Sequence, residues 1–454
     1  MFRRIGFLAL TCAAVFAGIP AQADILIKNV TVIDGTGRAP QPGQSVLIQG
    51  DRIAAIRDHA ITAPKGATVI EGRGKFLMPG LIDTHIHLEG GRVGNSSNGT
   101  GMERPLAMDF DTGRKMLHGF LYHGVTSVQD MANHDKFIFA MRDQQRSGQL
   151  VSPRIFAVGN LLTRPKGYAS SGGAATVETF EQGKQALDTL IAQKPNMIKF
   201  ILAPRNVGGG PEIPYFDPTL LHRMFMYANT RGVRTSVHAV EGPMQRAAVE
   251  AGVDVLAHPV YMTETDDELA PMIAAKRLPV STTLIVLKNI FSLVDDPSYF
   301  DSKAYRDILT DEQIAFFKGA ERNRYIATKL DVWAKQAFGF AQTNLGKLHA
   351  AGAGLALGTD RTIGATVLQE FELIGDLGIP PLEVIRIATL NAAKYMGAEE
   401  DLGTVQEGKL ADVILLDADP SKDLRNIRTL STVVANGKVV DRGKLDLPVN
   451  QRGK

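Results

Sequence analysis

Apolar and polar residues alternate in short runs at both ends of the chain, while the long middle repeats a strand-then-helix rhythm. Ile25-Leu26-Ile27-Lys28-Asn29-Val30-Thr31-Val32-Ile33 is β-branched and apolar and stops at Asp34-Gly35. Ser45-Val46-Leu47-Ile48-Gln49 leads through Gly50-Asp51 into Arg52-Ile53-Ala54-Ala55-Ile56, the spacing of a small antiparallel sheet. The far end has the same character. Val413-Ile414-Leu415-Leu416 is followed by Val433-Val434-Ala435, and Asn436-Gly437 forms a hairpin signal before Lys438-Val439-Val440. The two ends are expected to pair into one satellite, a small β-sandwich domain formed by both chain ends, which keeps the termini close.

Between these ends we read eight strands: Leu81–His87, Val125–Asp130, Arg154–Gly159, Met197–Leu202, Val233–His238, Val253–His258, Pro279–Leu284 and Gly354–Asp360. Amphipathic stretches separate them, as in a parallel α/β protein. Eight strands close a (β/α)8 TIM-type barrel. An open doubly wound sheet would carry a Gly-rich phosphate turn after its first strand; here that strand ends in two histidines. The expected organisation is a signal peptide at 1–23, satellite at 24–79, barrel at 80–400 and the second part of the satellite at 401–454. A long helical stretch, Lys288–Ala350, separates the seventh and eighth strands and reads equally as a lid over the mouth or as a packing insertion.

Composition narrows the class. Apolar residues make up 44% and charged residues 22% of 454, which suits a globular enzyme and not a fibrous or disordered chain. A net charge of +2 without a basic run gives no footprint for nucleic acid. Arg3 and Arg4 precede an apolar run from Ile5 to Ile19, and Ala21-Gln22-Ala23 completes a cleavable signal peptide. That run is short for a hydrocarbon core ~30 Å thick. A periplasmic or secreted protein, cleaved after Ala23, is therefore expected, with no membrane association after cleavage. The single cysteine, Cys12, falls inside the leader, so a metal site would have to use His, Asp, Glu or a modified Lys. A small-molecule substrate is the expected partner, and a homo-oligomer is left open.

Polar residues collect at the strand ends, where barrel enzymes place their active sites. His85 and His87 end the first strand, Lys199 lies in the fourth, His238 ends the fifth, His258 the sixth and Asp360 the eighth. Residues i and i+2 of a strand share a face, so His85 and His87 can grip one metal. Imidazole and carboxylate together favour Zn2+ or a similar divalent ion. Each residue alone is a weak signal. Four histidines and an aspartate on one rim would be costly to bury without a ligand.

Phe76-Leu77-Met78-Pro79-Gly80-Leu81-Ile82-Asp83-Thr84-His85-Ile86-His87 resembles the start of the barrel in the amidohydrolase superfamily, in its imidazolonepropionase-like and prolidase-like branch. Gly124–Asp130, Ala251–His258, Gly358-Thr359-Asp360, Ala388–Ala393 and Gly403–Asp412 match in the same order, over nearly the whole mature chain. The resemblance implies a metal-dependent hydrolase in which His85, His87 and Asp360 hold one ion and His238 and His258 a second. It also implies that Lys199 is N-carboxylated and bridges two divalent ions, zinc in the first instance. The expected reaction is cleavage of an amide or peptide C–N bond, in an N-acyl amino acid or dipeptide-like substrate, by a metal-activated water. Asp360 would carry its proton to the leaving nitrogen. A mononuclear cyclic-amide hydrolase or deaminase, a lactone or ester hydrolase, and a non-enzymatic scaffold are the alternatives.

Substrate contacts are sought on the loops. Arg164, Lys166 and Tyr168 follow strand three, Arg205 follows strand four and Arg361 follows Asp360; cations there could hold a carboxylate. Leu162–Tyr168 stands where prolidase-like relatives carry Gly-Gly-His, which separates this chain from their specificity. Asn95–Gly101 reads as a Gly/Ser/Asn loop able to close over substrate, and His134 could reach the mouth. His118 and His123 are expected to face outward or to cap a helix; His59, His222 and His349 have no pattern.

Overall fold

The computed structural model describes residues 24–89, 108–171 and 173–451. The expected leader, with Cys12, and the Asn95–Gly101 loop lie outside the described residues.

Strands from both ends form one eight-stranded mixed sheet. Its order is Lys438–Val439, Leu430–Ala435, Val413–Leu416, Phe76–Pro79, Ile25–Val32, Gln41–Gln49 and Arg52–Arg57, with Thr68–Glu71 also paired to Ile25–Val32. The antiparallel pairs expected from the sequence are present. Two further pairs are parallel, because Thr68–Glu71 and Phe76–Pro79 run alongside Ile25–Val32 after the chain has crossed over. Phe76–Pro79 also bonds antiparallel to Val413–Leu416, which joins the two ends. Alternate residues of these strands split between two cores, as a period of two requires. Leu77, Val413, Leu415 and Val434 pack inside the satellite, whereas Met78, Ile414 and Val433 join the core of the barrel. In the closing hairpin Asn436 (φ 53°) and Gly437 (φ 70°) are both left-handed, as a type I′ turn demands.

The barrel strands are Leu81–Ile86, Val125–Asp130, Arg154–Ala157, Met197–Ile201, Arg234–His238, Val255–Leu256, Pro279–Ser281 and Gly354–Ala356. Neighbours pair in parallel in two runs, strands one to three and four to eight, the second edged by the two-residue strands Leu162–Thr163 and Ala175–Thr176. Between strands three and four, Asn196 N–H donates to the Ala157 carbonyl at 2.9 Å. Between strands eight and one, Thr84 N–H donates to the Leu357 carbonyl at 3.0 Å and Asp360 N–H to the His85 carbonyl at 2.7 Å. Most strands are shorter than the apolar runs, because the last residues of several runs leave the ladder and become the polar rim.

The interior is apolar at one end: Ile82, Met197, Val255, Ala257 and Ala356 pack with Tyr395 and Met396 of the helix Ala392–Met396. The region between strands seven and eight is a chain of helices with a core of its own, including Leu293, Phe300, Tyr305, Ile314 and Tyr325. Its last helix, Leu330–Ala350, also packs Ala337, Ala341, Leu345 and Leu348 into the main core. The packing role is therefore built in.

Two close contacts hold the rim. Gly358 crosses so near its neighbours that a Cβ there would lie 2.0 Å from Ser281 Oγ and 2.8 Å from Thr84 Oγ1. Glu370, wholly buried in the helix Ala365–Asp376, accepts from Leu284 N–H at 3.0 Å and Ile285 N–H at 2.6 Å. It thereby caps the helix Leu284–Asp295, whose own N-cap, Thr283, makes no side-chain cap and sits at φ 44°. Burial pushes Glu370 up from 4.5 to about 7 despite these bonds.

A methyl group at Gly358 has nowhere to go, so Gly358→Ala is expected to cost about 1–3 kcal/mol by overpacking, read from urea denaturation. Because Glu370 binds its proton more tightly in the folded chain, its contribution to stability is largest below 4.5 and declines as pH rises to about 7. Wild type should therefore lose stability relative to Glu370→Gln across that window; parallel stability–pH curves would show the carboxyl to be ionised throughout.

Candidate metal centre

His85 and His87 leave the first strand on one side, and Asp360 meets them from the far end of the barrel order. One ligand atom from each lies within 4.8 Å of the other two. His87 Nε2 is 3.1 Å and His85 Nε2 3.6 Å from Asp360 Oδ1. Both imidazoles are oriented from behind: His85 Nδ1–H donates to the Ala257 carbonyl at 3.0 Å and His87 Nδ1–H to that of Ala132 at 3.2 Å. A carbonyl can only accept, so these bonds fix the tautomer and leave each Nε2 lone pair facing the carboxylate.

The backbone beneath is strained and tied down. Asp360 sits at φ 51°, a conformation that costs a non-glycine residue about 1–2 kcal/mol. Its bond to the His85 carbonyl holds it there. Asp83 is fully buried below the histidines and accepts from Thr359 Oγ1 (2.7 Å), Thr359 N–H (3.0 Å) and His85 N–H (3.1 Å). Burial pushes this carboxyl up to about 8.

His238 and His258 stand beside the three. Their ring centroids are 4.7 Å apart at 81°, and His258 is 4.6 Å from His85. His258 Nδ1 is 3.1 Å from Thr283 Oγ1. The His238 ring has no hydrogen-bond partner among the described residues, and Tyr168 lies flat upon it at 5.0 Å. Lys199 is buried, with Nζ 3.0 Å from His85 Nε2. All six residues expected from the sequence thus share one mouth, although only three converge on a point.

Burial, reinforced by the Lys199 charge, holds His85 well below the ordinary imidazole range and His238 at about 3. Burial and the neighbouring His85 and His238 do the same for His258. Burial alone would raise Asp360; the imidazoles around it, His85 foremost, outweigh that and hold it well below the usual range. Neutral imidazoles with fixed tautomers and an ionised carboxylate are the protonation states a divalent ion requires. The donor set fits such an ion.

The expected substrate residues fare differently. Tyr168 is at the mouth. Arg361 is not aimed there: its Nη2 donates to the Val286 carbonyl at 2.7 Å, towards the inserted helices. Arg205 pairs with Glu241 at 3.4 Å, and Arg164 donates to the Val177 and Glu178 carbonyls. His134 takes the N-cap position of the helix Asp135–Arg146, half-buried, with Nδ1 lacking a partner. His118 and His123 are buried rather than outward. His123 Nδ1–H donates to the Gly119 carbonyl at its helix end, and His118 Nδ1 accepts from Asp446 N–H. His59 is exposed beside Asp58, His222 bonds the Ala251 carbonyl, and His349 lies in the last turn of its helix. The sequence reading missed Asp83 and Thr283. Asp83 had a signal, two residues before His85 on the same strand; Thr283 meets His258 across the barrel, a contact that no local pattern reveals.

A model of the amidohydrolase family matches residues 76–440. A 5-methylthioadenosine/S-adenosylhomocysteine deaminase of Thermoanaerobacter pseudethanolicus is 30% identical over 92% of this chain and 93% of its own. An imidazolonepropionase of Shouchella clausii is 23% identical over 94% of both. The crystal structure of a Xaa-Pro dipeptidase with bound methionine in its active site superposes with a TM-score of 0.73 at 21% identity, covering 92% of this chain and 100% of that one. The matched stretch begins on the strand that joins satellite to barrel and takes in every residue of the cluster. The chain belongs to the amidohydrolase family and is a metal-dependent hydrolase of carbon–nitrogen bonds.

Proposed function

We propose that this hydrolase cleaves the amide or peptide bond of an N-acyl amino acid or dipeptide-like substrate at a two-ion centre. His85, His87 and Asp360 would hold one ion, His238 and His258 the other, with zinc the expected metal. The observation that carries this reading is the convergence of three ligand atoms within 4.8 Å, two of them on imidazoles tied back through Nδ1. Bound there, divalent ions would supply Lewis acidity and lower the pKa of a water towards neutrality.

Lys199 is the hinge of the two-ion reading. As an ammonium, 3.0 Å from His85 Nε2, it would take the lone pair that an ion needs and repel that ion. N-carboxylated, it would present anionic oxygens between the two sets of imidazoles. Asp360 is the proton carrier. Its side chain is 24% exposed, against 0% for His85, so it can meet both the attacking water and the leaving group. It takes the proton of the water as the new C–O bond forms and delivers it to nitrogen as the C–N bond breaks.

One observation favours a second reading. His238 and His258 do not join the three converging ligands among the described residues, which suits a single ion and hydrolysis of a cyclic amide or deamination of a ring.

Metal analysis of the mature protein separates the two. About two ions per chain, falling to one or fewer in Lys199→Ala, is expected; a single ion untouched by that substitution would establish the one-ion reading. Asp360→Asn should lower kcat on any accepted N-acyl amino acid or dipeptide by about 10²-fold or more. A loss under threefold would remove Asp360 from the proton path.

A further inference from the structure

Three of the cations sought for a substrate carboxylate, Arg164, Arg205 and Arg361, have partners of their own, and one side of the mouth is aromatic. Tyr168 lies flat on His238 with 13° between planes. Tyr261 meets His258 edge-on at 6.0 Å and 76°. Trp333 meets Tyr261 edge-on at 6.0 Å and 83°. With His238 and His258 in contact, the rings run without a break from the ligand cluster to the inserted helix Leu330–Ala350.

That helix begins over the strand-end loops. A Cβ at Gly208, on the loop after strand four, would touch the Leu330 side chain at 3.3 Å. Trp333 is therefore placed at the mouth and not on the flank of the barrel. Tyr168 and Trp333 are half-buried, so part of each ring remains accessible, whereas Tyr261 between them is 5% exposed. The Tyr261 hydroxyl makes no hydrogen bond among the described residues. A wall of this kind offers π-faces and ring edges and no fixed charge. Aromatic groups bind such surfaces in offset or edge-to-face arrangements that a saturated ring of equal size cannot reproduce.

We propose that Tyr168, Tyr261 and Trp333 form a subsite for an aryl group of the substrate, adjacent to the scissile C–N bond. The assignment rests on the hydrolase reading above and names its substrate class: amides bearing an aryl group in preference to those bearing an aliphatic or acidic one.

Matched pairs test aromaticity apart from size. On the metal-loaded enzyme, N-acetylphenylalanine is compared with N-acetylcyclohexylalanine, and N-benzoylglycine with N-cyclohexanecarbonylglycine; N-acetylaspartate serves as the anionic reference. At least one aryl member should exceed its saturated partner about tenfold or more in kcat/KM, and that ratio should collapse towards one in Trp333→Leu and in Tyr168→Leu. Ratios within twofold in both pairs, a ratio unchanged in both variants, or preference for the aspartate would overturn the subsite. Trp333 is the one tryptophan of the chain, so its emission reports binding without turnover. If no amide is cleaved, the amide-hydrolase reading fails but the subsite is still decided. Saturable quenching by benzylphosphonate and not by cyclohexylmethylphosphonate supports it, and equal or absent quenching refutes it.

Discussion

The mouth of the barrel depends on the seam where the eighth strand returns to the first. Three groups of bonds close it: Thr84 to Leu357, Asp360 to the His85 carbonyl, and Asp83 to Thr359. Together they set the two strand tips in register. They also keep Asp360 in a left-handed backbone that it would otherwise leave. Gly358 lets the strands approach closely enough for this to happen. The convergence of His85, His87 and Asp360 is thus a by-product of barrel closure.

Burial does the second part of the work. A histidine rim in open water would titrate near neutrality, and a proton would occupy the nitrogen that an ion needs. Here the cost of burying charge keeps His85, His238 and His258 neutral. Main-chain carbonyls set the tautomers of His85 and His87, and Thr283 meets the back of His258. Thr283 is in turn placed by the helix start that Glu370 caps. Two fully buried carboxylates, Asp83 and Glu370, therefore help decide where the rim residues stand.

Much of this was legible in the sequence, for reasons that differ by element. The eight barrel strands showed because strands buried on both faces are near-continuous apolar runs. His85 and His87 showed because a spacing of two puts them on one face. What a local pattern could not show was direction. Arg361 follows Asp360 directly, yet its guanidinium turns to the Val286 carbonyl because the helix Leu284–Asp295 offers an acceptor there. His118 and His123 lie on a helix with a polar face, yet contacts from distant segments bury them. The contacts among Tyr168, His238, Tyr261 and Trp333 join four separate stretches of chain, and no periodicity anticipates them. The parallel strands of the satellite were missed likewise, since pairing direction depends on how the chain crosses over.

The satellite sheet has a bearing on how the protein comes into being. Its strands Ile25–Val32 and Phe76–Pro79 are made long before Val413–Leu416, which zips onto Phe76–Pro79. Until the ribosome has delivered that segment, Phe76–Pro79 presents an unpaired edge, and edges of this kind recruit other strands. Met78 and Ile414 also bring the sheet's other face into the barrel core, so the barrel waits for the same event. Maturation is consequently a post-synthetic step with high contact order. Until that pairing the chain carries a strand edge and apolar faces that only its own later segment covers.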